Sequence, residues 1–162
     1  MTIDARPLPA PLRGSPVPSP RTEVLEALHL YAVRYQESAH RLAGWMELPT
    51  IDGTALGEIV WAESAGAPLS PTRLSERIGL TTGAANALLT RLEGRGLVAR
   101  TRESSDRRLV TVRATDDAHR RLEPFLASSA SRLEEALDDY DDDSLDTIRA
   151  FLVRFAGVLP AG

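Results

Sequence analysis

The pattern that most constrains this chain lies in residues 70–113. Ser70-Pro71 combines a capping hydroxyl with a proline suited to the first helical position, so a short helix should begin there and end at Gly79. Thr81 or Thr82 can cap a second helix. Its apolar positions recur at helical spacing and are Ala85, Leu88, Leu89 and Leu92. Two short helices joined by a tight glycine-containing turn are typical of a helix-turn-helix.

A β-hairpin should follow this pair of helices. Residues 97–102 and 109–113 are rich in Val, Leu and Thr, and a polar segment from Glu103 to Asp106 separates them. Two such runs around a short polar connection predict paired antiparallel strands. We therefore expect residues 48–114 to form one lobe of short helices with a small hairpin.

Helical periodicity on both sides of the lobe predicts longer helices. Residues 22–47 should form a helix capped by Thr22, and Asp52 should cap the next one. Residues 115–162 should form two helices, the second capped by Ser144. Their apolar faces exceed what one small lobe can cover, and such faces usually mark an interface. The predicted fold is mainly α with a small β-hairpin, and both flanking segments are predicted to be dimerisation helices.

Residues 1–21 differ in composition from the rest of the chain. They contain six of the 11 prolines and almost no large apolar side chains. Such a segment cannot bury enough surface to offset the entropy of ordering. We expect a disordered, proline-rich tail.

Composition argues against several classes of function. The chain has no cysteine, which excludes disulfides, thiolate zinc sites and cysteine nucleophiles. It contains no apolar run long enough to cross a membrane and no signal-peptide layout, so we expect a cytoplasmic protein without a membrane partner. The three histidines lack companions at metal-ligand spacing, and no phosphate-binding loop or nucleophile motif is present. We expect no metal, no cofactor and no enzymatic activity.

The distribution of charge is more informative than its total. The net charge of the chain is -4, yet residues 70–113 contain nine arginines and only four acidic residues, while both flanking segments are acidic. Attraction to phosphate depends on local charge, so double-stranded DNA is the expected partner of this segment.

The second helix of the pair should contact DNA bases. Asn can pair with adenine, Arg with guanine, and the methyl group of Thr can contact that of thymine. The N–H groups near Thr81 suit a phosphate. The outward-facing residues are Thr82, Gly83, Asn86, Thr90 and Arg91. An ordinary solvated helix face is the alternative interpretation.

Arginines also cluster around the predicted hairpin turn. Arg102, Arg107 and Arg108 lie there, and Asp106 could orient a neighbouring guanidinium. Arginine at a projecting tip fits the narrow, electronegative minor groove. Surface ion pairs of little energetic value are the alternative.

From about Leu48 to Thr115 the chain resembles the winged-helix regulators of the multiple-antibiotic-resistance (MarR) family. The resemblance lies in Pro71-Thr-Arg-Leu-Ser-Glu-Arg-Ile-Gly, in Thr82-Gly-Ala through Arg91-Leu-Glu-Gly-Arg-Gly-Leu-Val, and in Asp106-Arg-Arg-Leu-Val-Thr-Val. It implies a homodimer, formed by the first and the last two helices, that acts as a repressor on a pseudo-palindromic operator. It further implies major-groove contacts by the outward face described above and insertion of Arg107 into the minor groove, braced by Asp106 and Arg108.

The same resemblance implies a small-molecule effector. Relatives often bind aromatic or anionic ligands between the dimer helices and the winged lobe, which releases DNA. The candidate pocket residues here are His29, Arg34, Tyr35, Trp45 and Trp61. Core packing is the alternative role for most of them. A winged-helix module that binds proteins and not DNA is the alternative function, because a fold does not determine a function.

Overall fold

The computed structural model describes residues 19–102 and 110–158. Within these residues the chain forms six helices and a two-stranded antiparallel sheet. The elements are α1 (Pro20–Trp45), α2 (Thr50–Ser64), α3 (Pro71–Arg77), α4 (Thr82–Gly94), β1 (Val98–Arg102), β2 (Val110–Ala114), α5 (Asp116–Asp138) and α6 (Asp142–Ala156). The predicted class, mainly α with a small hairpin, is confirmed.

Some predictions fall on parts of the chain outside this description. They concern most of the proline-rich segment and the hairpin-turn residues Asp106, Arg107 and Arg108. The division into a tail, a lobe and two dimerisation segments also stays a prediction. Among the described residues, no helix is both long and apolar enough to cross a bilayer.

Side-chain caps begin the two helices of the central pair as predicted. The Ser70 Oγ accepts the N–H of Arg73 at 3.2 Å, and Pro71 occupies the first turn of α3. The Thr81 Oγ1 accepts the N–H of Ala84 at 3.3 Å and so begins α4. The turn between the helices contains Gly79 at φ +66°, a backbone conformation that glycine adopts without steric cost.

Three other predicted caps were wrong. Ser19 caps α1 in place of Thr22, whose own N–H donates to the Ser19 Oγ at 3.3 Å. Asp141 caps α6 in the same way, by accepting the N–H of Ser144 at 2.9 Å. In both cases the predicted residue is the third residue after the true cap and is its hydrogen-bond donor. The third error concerns Asp52, which lies inside the first turn of α2 because that helix already begins after Pro49.

The core lies between the C-terminal end of α1, helices α2 to α4, the hairpin and the first turns of α5. All four predicted apolar positions of α4 are at most 1% exposed. Helices α1 and α2 approach closely at Gly53, where an added Cβ would lie 2.5 Å from the Cβ of Ala43. A glycine is therefore required for this close packing.

The hairpin is attached to the lobe at its base. Its strands pair from Val98 opposite Ala114 to Arg102 opposite Val110. Thr115 closes the base, since its N–H donates to the carbonyl of Leu97 at 3.0 Å and its hydroxyl donates to the carbonyl of Gly96 at 2.7 Å. The same hydroxyl oxygen caps α5.

The outer helices leave apolar side chains uncovered within one chain. Helix α6 has no buried residue, and its two Phe side chains, Phe151 and Phe155, stack on each other with ring centroids 5.7 Å apart. The described parts of α1, α5 and α6 also contain large exposed apolar side chains, among them Leu30, Tyr31, Leu133, Leu137, Ile148 and Leu152.

Candidate nucleic-acid interface

One face of α4 is exposed along the whole helix. Its outward residues are Thr82, Gly83, Asn86 and Thr90, opposite the buried apolar stripe. The side chains are short, and those of Thr82, Asn86 and Thr90 can donate and accept hydrogen bonds, which suits close approach to base edges in a major groove. The exposure of these residues agrees with the sequence analysis, and their contact with DNA stays a prediction.

The N-terminus of α4 is a candidate phosphate site. The first N–H groups of a helix have no acceptor within the helix. Thr81 satisfies the N–H of Ala84, so this cap leaves the N–H groups of Thr82 and Gly83 to an outside acceptor. A phosphate oxygen is a suitable acceptor at this positively polarised end.

Arg91 has a partner that the sequence analysis did not predict. Its Nη2 lies 2.6 Å from Oδ1 of Asp52, and its Nε lies 3.1 Å from Oδ2 of the same carboxylate. The Asp52 side chain is only 3% exposed, whereas that of Arg91 is 53% exposed. The hydrogen bond to Asp52 raises the pKa of Arg91 further. A base contact by Arg91 would therefore require this two-point ion pair to open.

The spacing of Asp52 in α2 was the available signal for this pair. Asp52, Leu56 and Ile59 lie four and then three residues apart, so the carboxylate shares the buried face of α2. A lone acid in an apolar stripe needs a cationic partner, because an unpaired buried charge is very costly.

A second arginine approaches α4 from the hairpin. The Nη1 of Arg100 lies 2.6 Å from Oε2 of Glu93, and its Nη2 lies 3.4 Å from Oδ1 of Asn86. The side chains of Arg100 and Glu93 are 32% and 28% exposed. Arg100 thus connects β1 to two residues of α4.

The other described arginines of the basic segment differ in whether they form an ion pair or hydrogen bond. Arg95 donates to the carbonyl of Glu47 at 2.7 Å, and Arg77 pairs with Glu58 at 3.2 Å. Arg73 and Arg102 are exposed and have no ion pair among the described residues. These two cations are the better candidates for phosphate contacts.

The predicted ligand-pocket residues form their polar contacts with different elements of the fold. Tyr35 donates to Oε1 of Glu58 on α2 at 2.9 Å, and burial followed by this hydrogen bond raises its pKa to about 12. Trp45 donates from Nε1 to the carbonyl of Arg121 on α5 at 2.8 Å. Arg34 pairs with Glu37 of its own helix at 2.9 Å.

The last two predicted pocket residues, His29 and Trp61, are exposed. The described residues of one chain therefore do not show a closed pocket around the predicted set. No group of three or more potential metal ligands occurs among them either.

Comparison with known proteins shows a similarity to one family over the central part of the chain. The model of the MarR family matches residues 61–109, from α2 through the hairpin. The HTH-type transcriptional repressor YetL of Bacillus subtilis (strain 168) is 32% identical over 78 residues, which is 48% of this chain and 47% of YetL. The chain spans about half the length of the curated relatives it matches. Those relatives are named as regulators of transcription and not as enzymes.

Solved structures support the same fold. A MarR family protein from Bacillus stearothermophilus is 21% identical and has a TM-score of 0.54, with 87% of this chain and 97% of that chain covered. S. aureus MepR in its DNA-binding conformation is 14% identical and has a TM-score of 0.62, with 85% and 98% covered. The α3–α4 pair with its attached hairpin is thus a winged helix-turn-helix fold, and the part of the chain from α2 through the hairpin is similar to the MarR family.

Proposed function

We propose that the protein is a transcriptional regulator that binds double-stranded DNA, with α4 in the major groove and the hairpin at the adjacent minor groove. The main supporting observation is the exposed face of α4, where short hydrogen-bonding side chains lie within the only basic segment of the sequence. The similarity to YetL, named as a repressor, supports repression as the direction of control.

We further propose that the regulator is a homodimer. Helix α6 buries no residue in a single chain, and the exposed apolar residues of α1, α5 and α6 would be covered by the same helices of a second copy. A twofold arrangement would present two α4 helices to half-sites about one helical turn apart, as a pseudo-palindromic operator requires.

We also propose that a small aromatic or anionic effector releases the regulator from DNA. Support comes from the exposed indole rings of Trp45 and Trp61. In the described part of one chain, the predicted pocket residues contact different elements and do not enclose a cavity together. We therefore propose that residues of the second copy complete the pocket.

The regulator proposal is tested by the affinity for duplex DNA as a function of salt. Genomic fragments selected for binding, and a random duplex of the same length, are titrated with the protein at several salt concentrations. We expect tight binding to selected fragments and an affinity that falls steeply as salt increases. Arg73→Ala and Arg102→Ala should weaken binding to both duplexes and reduce the salt slope by about one each.

Arg41→Ala is the control, because it removes an exposed arginine of α1 that lies outside the basic segment. It should leave the salt slope unchanged. If neither selected nor random duplex binds at low salt, the regulator function is ruled out and the protein-interaction module becomes the better interpretation.

A further inference from the structure

We propose that Arg100 determines which base edges Asn86 can recognise. This inference rests on the proposed function, in which α4 contacts bases in the major groove. Asn86 and Glu93 lie seven residues apart, or about two turns, and therefore share one side of α4. Arg100 reaches this side from β1 and contacts both.

The chemistry of the guanidinium group fixes which atom of Asn86 faces it. Arginine is a donor only, so the atom it contacts must be the amide oxygen, Oδ1. The NH2 group of Asn86 is then directed away from Arg100. Toward DNA, the side chain offers its NH2 donors and only the one lone pair of Oδ1 that Arg100 leaves free.

This orientation changes the bases that Asn86 can select. An unrestrained Asn pairs bidentately with adenine, since its oxygen accepts from N6 and its NH2 donates to N7. In Asn86 the oxygen already accepts from Arg100 with one of its two lone pairs, which weakens its bond to N6, whereas the NH2 donor still fits N7 of either purine, O6 of guanine or O4 of thymine. Asn86 should therefore prefer adenine over guanine only weakly.

Glu93 acts as a positioning residue for Arg100. The contact from Arg100 to Asn86 is 3.4 Å, longer than a strong hydrogen bond, whereas the contact to Glu93 is 2.6 Å and charge-assisted. The orientation of the amide therefore depends on Glu93 holding the guanidinium in place. The side chains of Arg100 and Glu93 are both less than one-third exposed, so water competes less for their ion pair.

The experiment measures base preference at each operator position by selection from a randomised duplex library. The position contacted by Asn86 is the one at which Asn86→Ala flattens the preference. At that position the wild-type protein should bind adenine and guanine within about threefold of each other, since both offer N7. Arg100→Met should shift the preference toward adenine by about fivefold or more, because the amide oxygen then accepts from N6 of adenine without competition from Arg100.

Two further variants separate this effect from loss of charge or fold. Arg95→Met removes a cation from the same segment that contacts Glu47 and not Asn86, and it should leave the profile unchanged. Glu93→Gln keeps the size of the side chain and should shift the preference in the same direction as Arg100→Met. In the double variant Asn86→Ala with Arg100→Met, the second substitution should have no effect on the profile.

Several outcomes would overturn the proposal while leaving the proposed function intact. One is an unchanged profile in both Arg100→Met and Glu93→Gln. Another is a uniform loss of affinity with a smaller salt slope, which would identify Arg100 as a phosphate ligand. A third is the absence of any position that depends on Asn86. Failure of the wild-type protein to bind DNA would instead reject the proposed function itself.

Discussion

The guanidinium of Arg91 on α4 binds both carboxylate oxygens of Asp52 on α2, at 2.6 and 3.1 Å. The two residues are 39 positions apart in sequence. Because the carboxylate is buried and the contact has two points, the pair fixes the rotation of α4 relative to α2. The side of α4 that remains exposed is thus determined partly by an ionic contact and not by apolar packing alone.

Removal of Arg91 should destabilise the lobe. Arg91→Ala leaves the buried Asp52 carboxylate without its partner, which destabilises the folded state. The loss should be smaller than for a pair with both partners buried, because the Arg91 side chain is half exposed to solvent. Urea unfolding of the variant and of Arg34→Ala, which breaks an exposed pair with Glu37, provides the comparison. Equal free energies of unfolding for the two variants would show that the Arg91–Asp52 pair stabilises the fold no more than an exposed ion pair does.

Replacing both partners tests the origin of that cost. Asp52→Leu combined with Arg91→Met removes the buried charge together with its counter-ion. The double variant should be more stable than Arg91→Ala, because an apolar pair often substitutes for a buried ion pair without loss. A double variant less stable than Arg91→Ala would mean that packing around Asp52, and not its charge, is limiting.

The pKa of Tyr35 predicts a loss of stability at high pH. The folded-state pKa is about 12, above the ordinary value of 10.0, so the stabilising effect of the protonated phenol is complete below pH 10 and is lost as the pH rises toward 12. The free energy of unfolding should therefore fall over that range, and less so in Tyr35→Phe. The difference between the absorbance titrations of the wild type and of Tyr35→Phe should show Tyr35 ionising near pH 12. Ionisation of Tyr35 near pH 10 would contradict its burial and its hydrogen bond to Glu58.

A charge on the apolar face of α6 should prevent dimer formation. Leu152→Asp places a carboxylate among the exposed apolar residues that we propose are covered by a second copy. Light scattering after size-exclusion chromatography should give the mass of one chain for this variant and of two chains for the wild type. Ala150→Asp is the matched control, since it places the same charge at an exposed position of the same helix that has no large apolar side chain. It should remain dimeric, and equal dissociation of both variants would argue against a face-specific interface.

Gly53→Ala should force α1 and α2 apart. The new methyl group would lie 2.5 Å from the Cβ of Ala43, so the helices must shift, at a cost of about 1–3 kcal/mol. Gly44→Ala is the control, because an added Cβ there meets no atom within 4 Å. Thermal unfolding should show a lower melting temperature for Gly53→Ala and no decrease for Gly44→Ala. A Gly53→Ala protein as stable as the wild type would show that α1 and α2 can move apart at this contact without loss of stability.

Local patterns in the sequence were sufficient for the helices and for the exposed face of α4. The four apolar positions of that helix recur at helical spacing, and all four are buried. The cap at Ser70 was predictable because Pro71 marks the first helical position, and the cap of α4 was narrowed to Thr81 or Thr82. The caps at Ser19 and Asp141 were not predictable, since a polar residue three positions later, Thr22 or Ser144, fits the same local pattern.

The candidate site was only partly predictable, since its polar contacts join distant segments. The spacing of Arg91 places it on α4, but nothing in the periodicity of that helix specifies a carboxylate on α2. Arg100 likewise contacts α4 from a strand, and its partners depend on how the hairpin folds back. Composition and charge indicated the candidate interface, whereas the pairing of its side chains required the three-dimensional structure.

Thr115 connects the hairpin directly to α5. Its N–H and hydroxyl hold the base of the hairpin at Leu97 and Gly96, and its hydroxyl oxygen starts α5 one residue later. The hairpin and the long helix therefore share a rigid joint with no flexible linker between them. In the proposed dimer and DNA complex, a rotation of α5 would turn the hairpin with it, so a small change in how two copies meet would move the hairpin relative to the DNA.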